Sequence, residues 1–188
     1  LSLPNNQLYG EIPPELGNLT NLTTLNLRDN QLTGEIPSEL ENLINLNSLS
    51  LSGNNLTGEI PIELFNLVNL TGFAIPIMAG SIFHPGLDLS DNLLDGEIPP
   101  EIGNLVNITS IDISQNQLIG EIPEELYNLT NLESLILSDN NLSGEISPSI
   151  SNLINLSGIV TYGHMSITTY PALDLSVNQF SGIIPDEL

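Results

Sequence analysis

One 24-residue phrase, said again and again, decides what this chain can become. Residues 1–24 read LSLPNNQLYGEIPPELGNLTNLTT, and the phrase returns at 25–48, 49–72, 87–110, 111–134 and 135–158, with a partial copy at 173–188. A strict period of this length means a solenoid. Each unit is one coil that cannot bury its apolar face alone, and stacking the coils makes a continuous core. Residues 1–188 therefore form a single domain, drawn out as a stack rather than closed as a globule.

Within the unit the apolar positions are 1, 3, 8, 12, 16, 19 and 22, as in Leu1, Leu3, Leu8, Ile12, Leu16, Leu19 and Leu22. Positions 1 and 3 alternate with polar neighbours, the period-two pattern of a short strand with one buried face. Gly10 and Pro13 interrupt any continuation, so the later apolar positions are expected to turn inward from a coil that bends back over the strand. Stacked strands about 4.8 Å apart then give a parallel sheet down one side. Gly at position 10 (Gly34, Gly58 and Gly96 after Gly10) marks a bend needing positive φ or no Cβ. Pro at position 13 stiffens the return path, except in the sixth unit, where Ser147 stands there and Pro148 follows.

Asn recurs at position 6, as Asn6, Asn30, Asn54, Asn92, Asn116, Asn140 and Asn178. An inward amide offers two donors and an acceptor, enough to satisfy turn groups of its own and neighbouring coils at about 1 kcal/mol net per bond. The row reads as a structural asparagine ladder.

The consensus LxLxxNxLxGxIPxxLxNLxNL resembles the plant-type, extracellular leucine-rich repeat of receptor-kinase ectodomains, receptor-like proteins and polygalacturonase-inhibiting proteins. The resemblance covers all of the chain except two short segments. It implies a right-handed leucine-rich-repeat coil with a parallel β-sheet on one face and irregular or 3-10 segments on the other. It also implies an extracellular or cell-surface location and recognition through the concave sheet. The cysteine-paired caps and the Trp of that family are missing from this sequence, which has no Cys and no Trp. The opening on LSL and the stop inside a repeat read as cuts in a longer array.

Two 14-residue segments break the period: FAIPIMAGSIFHPG at 73–86 and IVTYGHMSITTYPA at 159–172. Each follows three repeats, so the chain has a superperiod of 86 residues. They hold both His, both Met and half of the aromatics, making Phe73, Met78, Phe83, His84, Tyr162, His164, Met165 and Tyr170 candidate contact residues. The other reading is that these side chains patch a shortened coil, filling the core where Leu positions are lost; the strand-like starts FAI and IVT favour it.

The net charge is −22, with Arg28 as the one basic residue besides two His. That excludes nucleic acid, which is bound through basic contacts to phosphate, and disfavours an anionic membrane surface. No run approaches the ~20 apolar residues of a membrane span. Glu at position 11 and acids at position 15 form two carboxylate rails. Their repulsion, about 1 kcal/mol per neighbouring pair in water, is small beside roughly 10 kcal/mol gross from burying each coil's apolar side chains. The rails read as a solvated face, with weak Ca²⁺ bridging as the alternative.

The sheet face carries small polar residues such as Ser50, Asp88, Asp112, Ser114 and Asp174 with no aromatic anchor, and lacks the regular Thr or Asn grid that ice binding would want. Asn-x-Ser/Thr sequons occur at Asn18, Asn21, Asn55, Asn69, Asn107, Asn128, Asn141 and Asn155; Asn18 and Asn128 are the better glycosylation candidates, sitting where the coil leaves the core. No nucleophile–base pairing, metal-ligand spacing or phosphate loop is visible, so neither catalysis nor a cofactor is expected. Two functions compete: an extracellular scaffold for protein or glycan recognition, and a structural segment of a long fibre or surface stalk built of 86-residue blocks associating end to end.

Overall fold

The computed structural model describes residues 1–77, 80–162 and 167–186. The position-1 residues do what an alternating LxL demands. Strands Thr24–Asn26, Ser48–Ser50, Leu87–Asp88, Ser110–Asp112, Ser134–Ile136 and Leu173–Asp174 form one parallel sheet in that spatial order. Leu25 pairs with Leu49, Leu49 with Leu87, Leu87 with Ile111, Ile111 with Leu135, and Leu135 with Leu173, so like stacks on like. Leu25, Leu49, Leu87, Ile111 and Leu135 are essentially inaccessible, and Leu40, Leu43, Leu46 and their counterparts close the core from the other side.

That other side is built from 3-10 turns at Pro14–Asn18, Ser38–Asn42, Ile62–Asn66, Pro100–Asn104, Glu124–Asn128 and Pro148–Asn152. A Pro precedes five of them at φ near −65°, the angle its ring imposes. Before the sixth stands Ser147, whose hydroxyl instead accepts from the amide of Ser149 at 3.2 Å.

The expectation that Gly10 ends all strand structure is corrected. A second parallel ladder runs through that position: Tyr9–Glu11, Gln31–Gly34, Asn55–Glu59 and Leu93–Asp95 form one sheet, continued by Ile119–Gly120 and Asn141–Leu142. The glycines still have positive φ, 78° at Gly34 and 76° at Gly96. They are also spacers. A Cβ on Gly96 would lie 2.7 Å from Cγ of Glu59, and one on Gly144 2.7 Å from Cγ of Glu121. The Glu of one coil thus lays its methylenes across the glycine of the next, as a two-residue Gly-Glu device repeated down the stack.

The interruptions do not shorten a coil. Phe73–Ile77 pairs antiparallel with Gly80–His84, and Ile159–Tyr162 with Ile167–Tyr170, as two hairpins that leave the solenoid. Behind each the coils close directly: the amide of Leu49 donates to the Gly86 carbonyl at 3.0 Å, that of Thr109 to Thr71 at 3.0 Å, and that of Leu135 to Ala172 at 2.9 Å. The first strand of the second hairpin lies beside the second strand of the first.

Candidate recognition surface

The outward residues of the main sheet repeat a small device three times. In LDLS, IDIS and LDLS the Asp at position 2 accepts from the Ser two residues on. Asp88 Oδ1 takes the Ser90 hydroxyl at 2.7 Å, Asp112 Oδ1 the Ser114 hydroxyl at 2.6 Å, and Asp174 Oδ1 the Ser176 hydroxyl at 2.6 Å, each with the matching backbone amide at 3.0–3.2 Å. Side chains two apart on a strand share a face, so the turn after the strand is tied to the sheet surface.

Environment then separates the three. Asp88 is buried and also accepts from the hydroxyls of Ser50 at 3.1 Å and Ser52 at 2.8 Å. Asp112 is its register partner on the next strand. Burial, with the neighbouring Asp88 charge, pushes the Asp112 carboxyl up to about 6 against the pull of its Ser114 hydrogen bonds. Asp174, in the more open last coil, is held below the ordinary carboxylate range by the Ser176 hydroxyl.

The face is less open than the sequence implies. Ser110 and Ser134 are 0% exposed, and Ser48, Ser50, Ser52 and Ile136 are buried as well. The burial is deepest at the strand starts, where the hairpins leave: the Ser134 hydroxyl donates to the Pro171 carbonyl at 2.7 Å and the Thr109 hydroxyl to Thr71. What stays accessible is the far end of the strands in coils two to five. There Arg28, Asp29, Asp91, Asp112 and Gln115, together with the buried Asp88, are among the residues lining a cavity of about 300 Å³. Arg28 Nε meets Asp29 at 3.1 Å in an exposed pair, leaving the cavity strongly negative.

The position-6 asparagines lie where the coil turns out of the strand. Asn116 Nδ2 is within 3.0–3.2 Å of the carbonyls of Leu89, Ile113 and Ser114, and its Oδ1 accepts from the buried amide of Leu94 at 3.0 Å. Asn30, Asn54, Asn92, Asn140 and Asn178 repeat the geometry, and Asn6 bonds within its own coil.

A second ladder went unread in the sequence. At position 21, Asn45 Nδ2 donates to the carbonyl of Thr20, Asn69 to Ile44, Asn107 to Val68, Asn131 to Val106 and Asn155 to Thr130, at 2.7–3.1 Å. Its signal was the invariance of the second Asn in NLxNL, which the sequon reading absorbed.

The carboxylate rails border two open grooves of about 600 Å³, one beside Glu35, Glu39 and Glu59 and one beside Glu97, Glu121 and Glu145. Among the described residues no three His, Asp or Glu converge as a metal site, and no helix is long and apolar enough to cross a membrane. Asn18 and Asn128 are exposed at the ends of their 3-10 turns. Of the candidate contact residues, Phe73, Phe83, His84, Tyr162 and Tyr170 fall in the hairpin strands, and Met78, His164 and Met165 lie outside the described residues.

The Leucine Rich Repeat family model matches residues 1–19, 21–43, 45–67, 86–105, 107–129 and 131–153. No curated protein matches the chain. Among solved structures, the plant peptide hormone receptor RGFR1 in complex with RGF2 is 34% identical over 100% of this chain and 26% of its own, with a TM-score of 0.78. The Arabidopsis receptor kinase HAESA, in complex with the peptide hormone IDA and the co-receptor SERK1, is 33% identical over 100% of this chain and 31% of its own, at 0.68. A plant ice-binding protein is 33% identical over 80% of this chain and 45% of its own, at 0.70. The chain therefore spans about a quarter to a third of the length of these receptors. With its repeat, its two ladders and these neighbours together, the chain belongs to the leucine-rich-repeat family, in its extracellular plant type.

Proposed function

We propose that this chain is a non-catalytic section of an extracellular recognition scaffold, binding a peptide or protein partner that presents a basic group. The observation that carries the reading is the likeness over the whole chain to receptors held in complex with peptide hormones. The chemistry of the partner comes from the cavity at the strand ends, which Asp29, Asp91 and Asp112 line together with Arg28 and the buried Asp88. An ammonium or guanidinium group entering there replaces water with charge-assisted hydrogen bonds. A net charge of −22 adds long-range attraction, which speeds encounter and fades with salt. Surface plasmon resonance against peptides matched in length but differing in one Lys or Arg tests this. Peptides with the basic residue should bind better, and the Asp91→Asn variant should lose that preference about tenfold, the scale of one charge-assisted bond. Equal binding of neutral and basic peptides refutes it.

One observation favours a fibre or stalk as the second reading. The two hairpins, 86 residues apart, lie side by side, so each block can seat its hairpin on that of the block before. Electron microscopy of the full product separates the two: uniform filaments support the stalk, and discrete arcs oppose it.

A further inference from the structure

Eight sequons punctuate the chain, and the coil positions they occupy are not equivalent. Asn69, Asn107 and Asn155 belong to the second asparagine ladder, and each turns its amide nitrogen onto a carbonyl of the preceding coil at 2.7, 3.1 and 2.7 Å. That nitrogen is the atom a glycan would occupy. All three are exposed, so what distinguishes them is the bond itself: a sugar there replaces one of the two N–H groups on a nitrogen already tied to the coil before. Asn18 and Asn128, three residues earlier in the coil, differ in kind. Both end a 3-10 turn, and, unlike those of the equally exposed ladder residues, neither side-chain amide is engaged in a hydrogen bond among the described residues. The backbone carbonyls of their sequon threonines, Thr20 and Thr130, serve as the acceptors for the ladder residues Asn45 and Asn155, so each sequon is held open against a fixed backbone. Asn55 and Asn141 are exposed strand residues outside the second ladder, and Asn21 holds the ladder position in coil one without a carbonyl partner among the described residues.

We propose that Asn18 and Asn128 are N-glycosylation sites and that the ladder sequons Asn69, Asn107 and Asn155 stay bare. The sugars project from the 3-10 side of coils one and five, away from the cavity at the strand ends, which leaves that cavity free for a partner. The inference rests on the extracellular reading only for its relevance in the cell, since the sites are read out in any secreting eukaryotic host.

The chain is secreted from insect cells, cleaved with acid-directed proteases (Arg28 is the single tryptic site) and mapped after enzymatic glycan release in heavy-oxygen water. Occupancy at Asn18 and Asn128 should exceed that at Asn69, Asn107 and Asn155 by about tenfold or more. Comparable occupancy in both groups, or bare Asn18 and Asn128, overturns the proposal. The ladder argument has its own readout in bacterially made, sugar-free chain. Asn107→Asp, which removes the donor, should lower Tm by about 2–4 °C or more, and Asn128→Asp should leave it unmoved. Equal shifts overturn the distinction between the two groups, whatever partner the scaffold binds.

Discussion

Replacing Asp112 by Asn should stabilise the protein at neutral pH and do nothing in acid. The folded chain holds the Asp112 proton up to about pH 6, whereas an unperturbed carboxyl releases it near 3.8. Between those values the folded state binds more protons than the unfolded one, so this group's contribution falls as pH rises through the window. The gap of about two pKa units corresponds to a penalty of about 3 kcal/mol once the carboxylate is charged. Asparagine keeps the Oδ1 that accepts from Ser114 and removes both the buried charge and its repulsion with Asp88. Its new Nδ2 must find an acceptor, and Asp112 is not wholly buried, so the net gain should be about 1–3 kcal/mol at pH 7.5. Urea melts of both proteins at pH 7.5 and pH 4 measure it, the difference between the two removing the background titration of the other acids. Asp174→Asn is the control. The same Asp-x-Ser device there holds the carboxyl low, so its contribution is present at neutral pH and lost in acid, and this variant should destabilise at pH 7.5. A pH-independent gain for Asp112→Asn, or a loss at pH 7.5, refutes the argument.

Three further substitutions have a stated direction. Asn116→Leu strands the buried amide of Leu94 and should cost about 1–3 kcal/mol by urea melt; no change would show that the ladder bonds are energetically idle. Val177 sits at φ 52°, the left-handed region that a β-branched residue tolerates worst, and it is 70% exposed, so Val177→Asn should relieve about 1 kcal/mol of strain and slow proteolysis of the last coil. The Tyr127 hydroxyl is buried, near the Ser147 amide without completing a hydrogen bond, and burial pushes its pKa up to about 12; Tyr127→Phe should be neutral or gain up to about 1 kcal/mol in Tm-derived stability.

How much of this could be read from residues alone follows from how local each feature is. The core stripe was legible because every coil solves the same problem: Leu25, Leu49 and Ile111 must find apolar neighbours, and their only periodic neighbours are one another. The second strand at Gly34 and Gly58 was not, since a glycine signals a bend in one chain but says nothing of the Glu methylenes that the coil before lays across it. The hairpins escaped for a related reason. FAIPIMAGSIFHPG has neither an Asn-Gly nor an Asp-Gly step nor strict alternation, the two marks by which a hairpin announces itself.

The candidate site shows the limit most sharply. Asp88, Asp112 and Asp174 share one motif and one hydrogen bond, so any reading of sequence must treat them alike. The protons of Asp112 and Asp174 are nonetheless held differently, because the two carboxyls are buried to different depths and stand beside different register partners. Asp112 faces Asp88 across a strand pair, while Asp174 faces Ile136. In a repeat protein the coil fixes each residue's role, and the departures from the repeat fix its chemistry. The two hairpins and the Asp at position 2 in successive coils are such departures: the hairpins interrupt the stack, and the Asp residues make one stretch of an otherwise uniform sheet acidic.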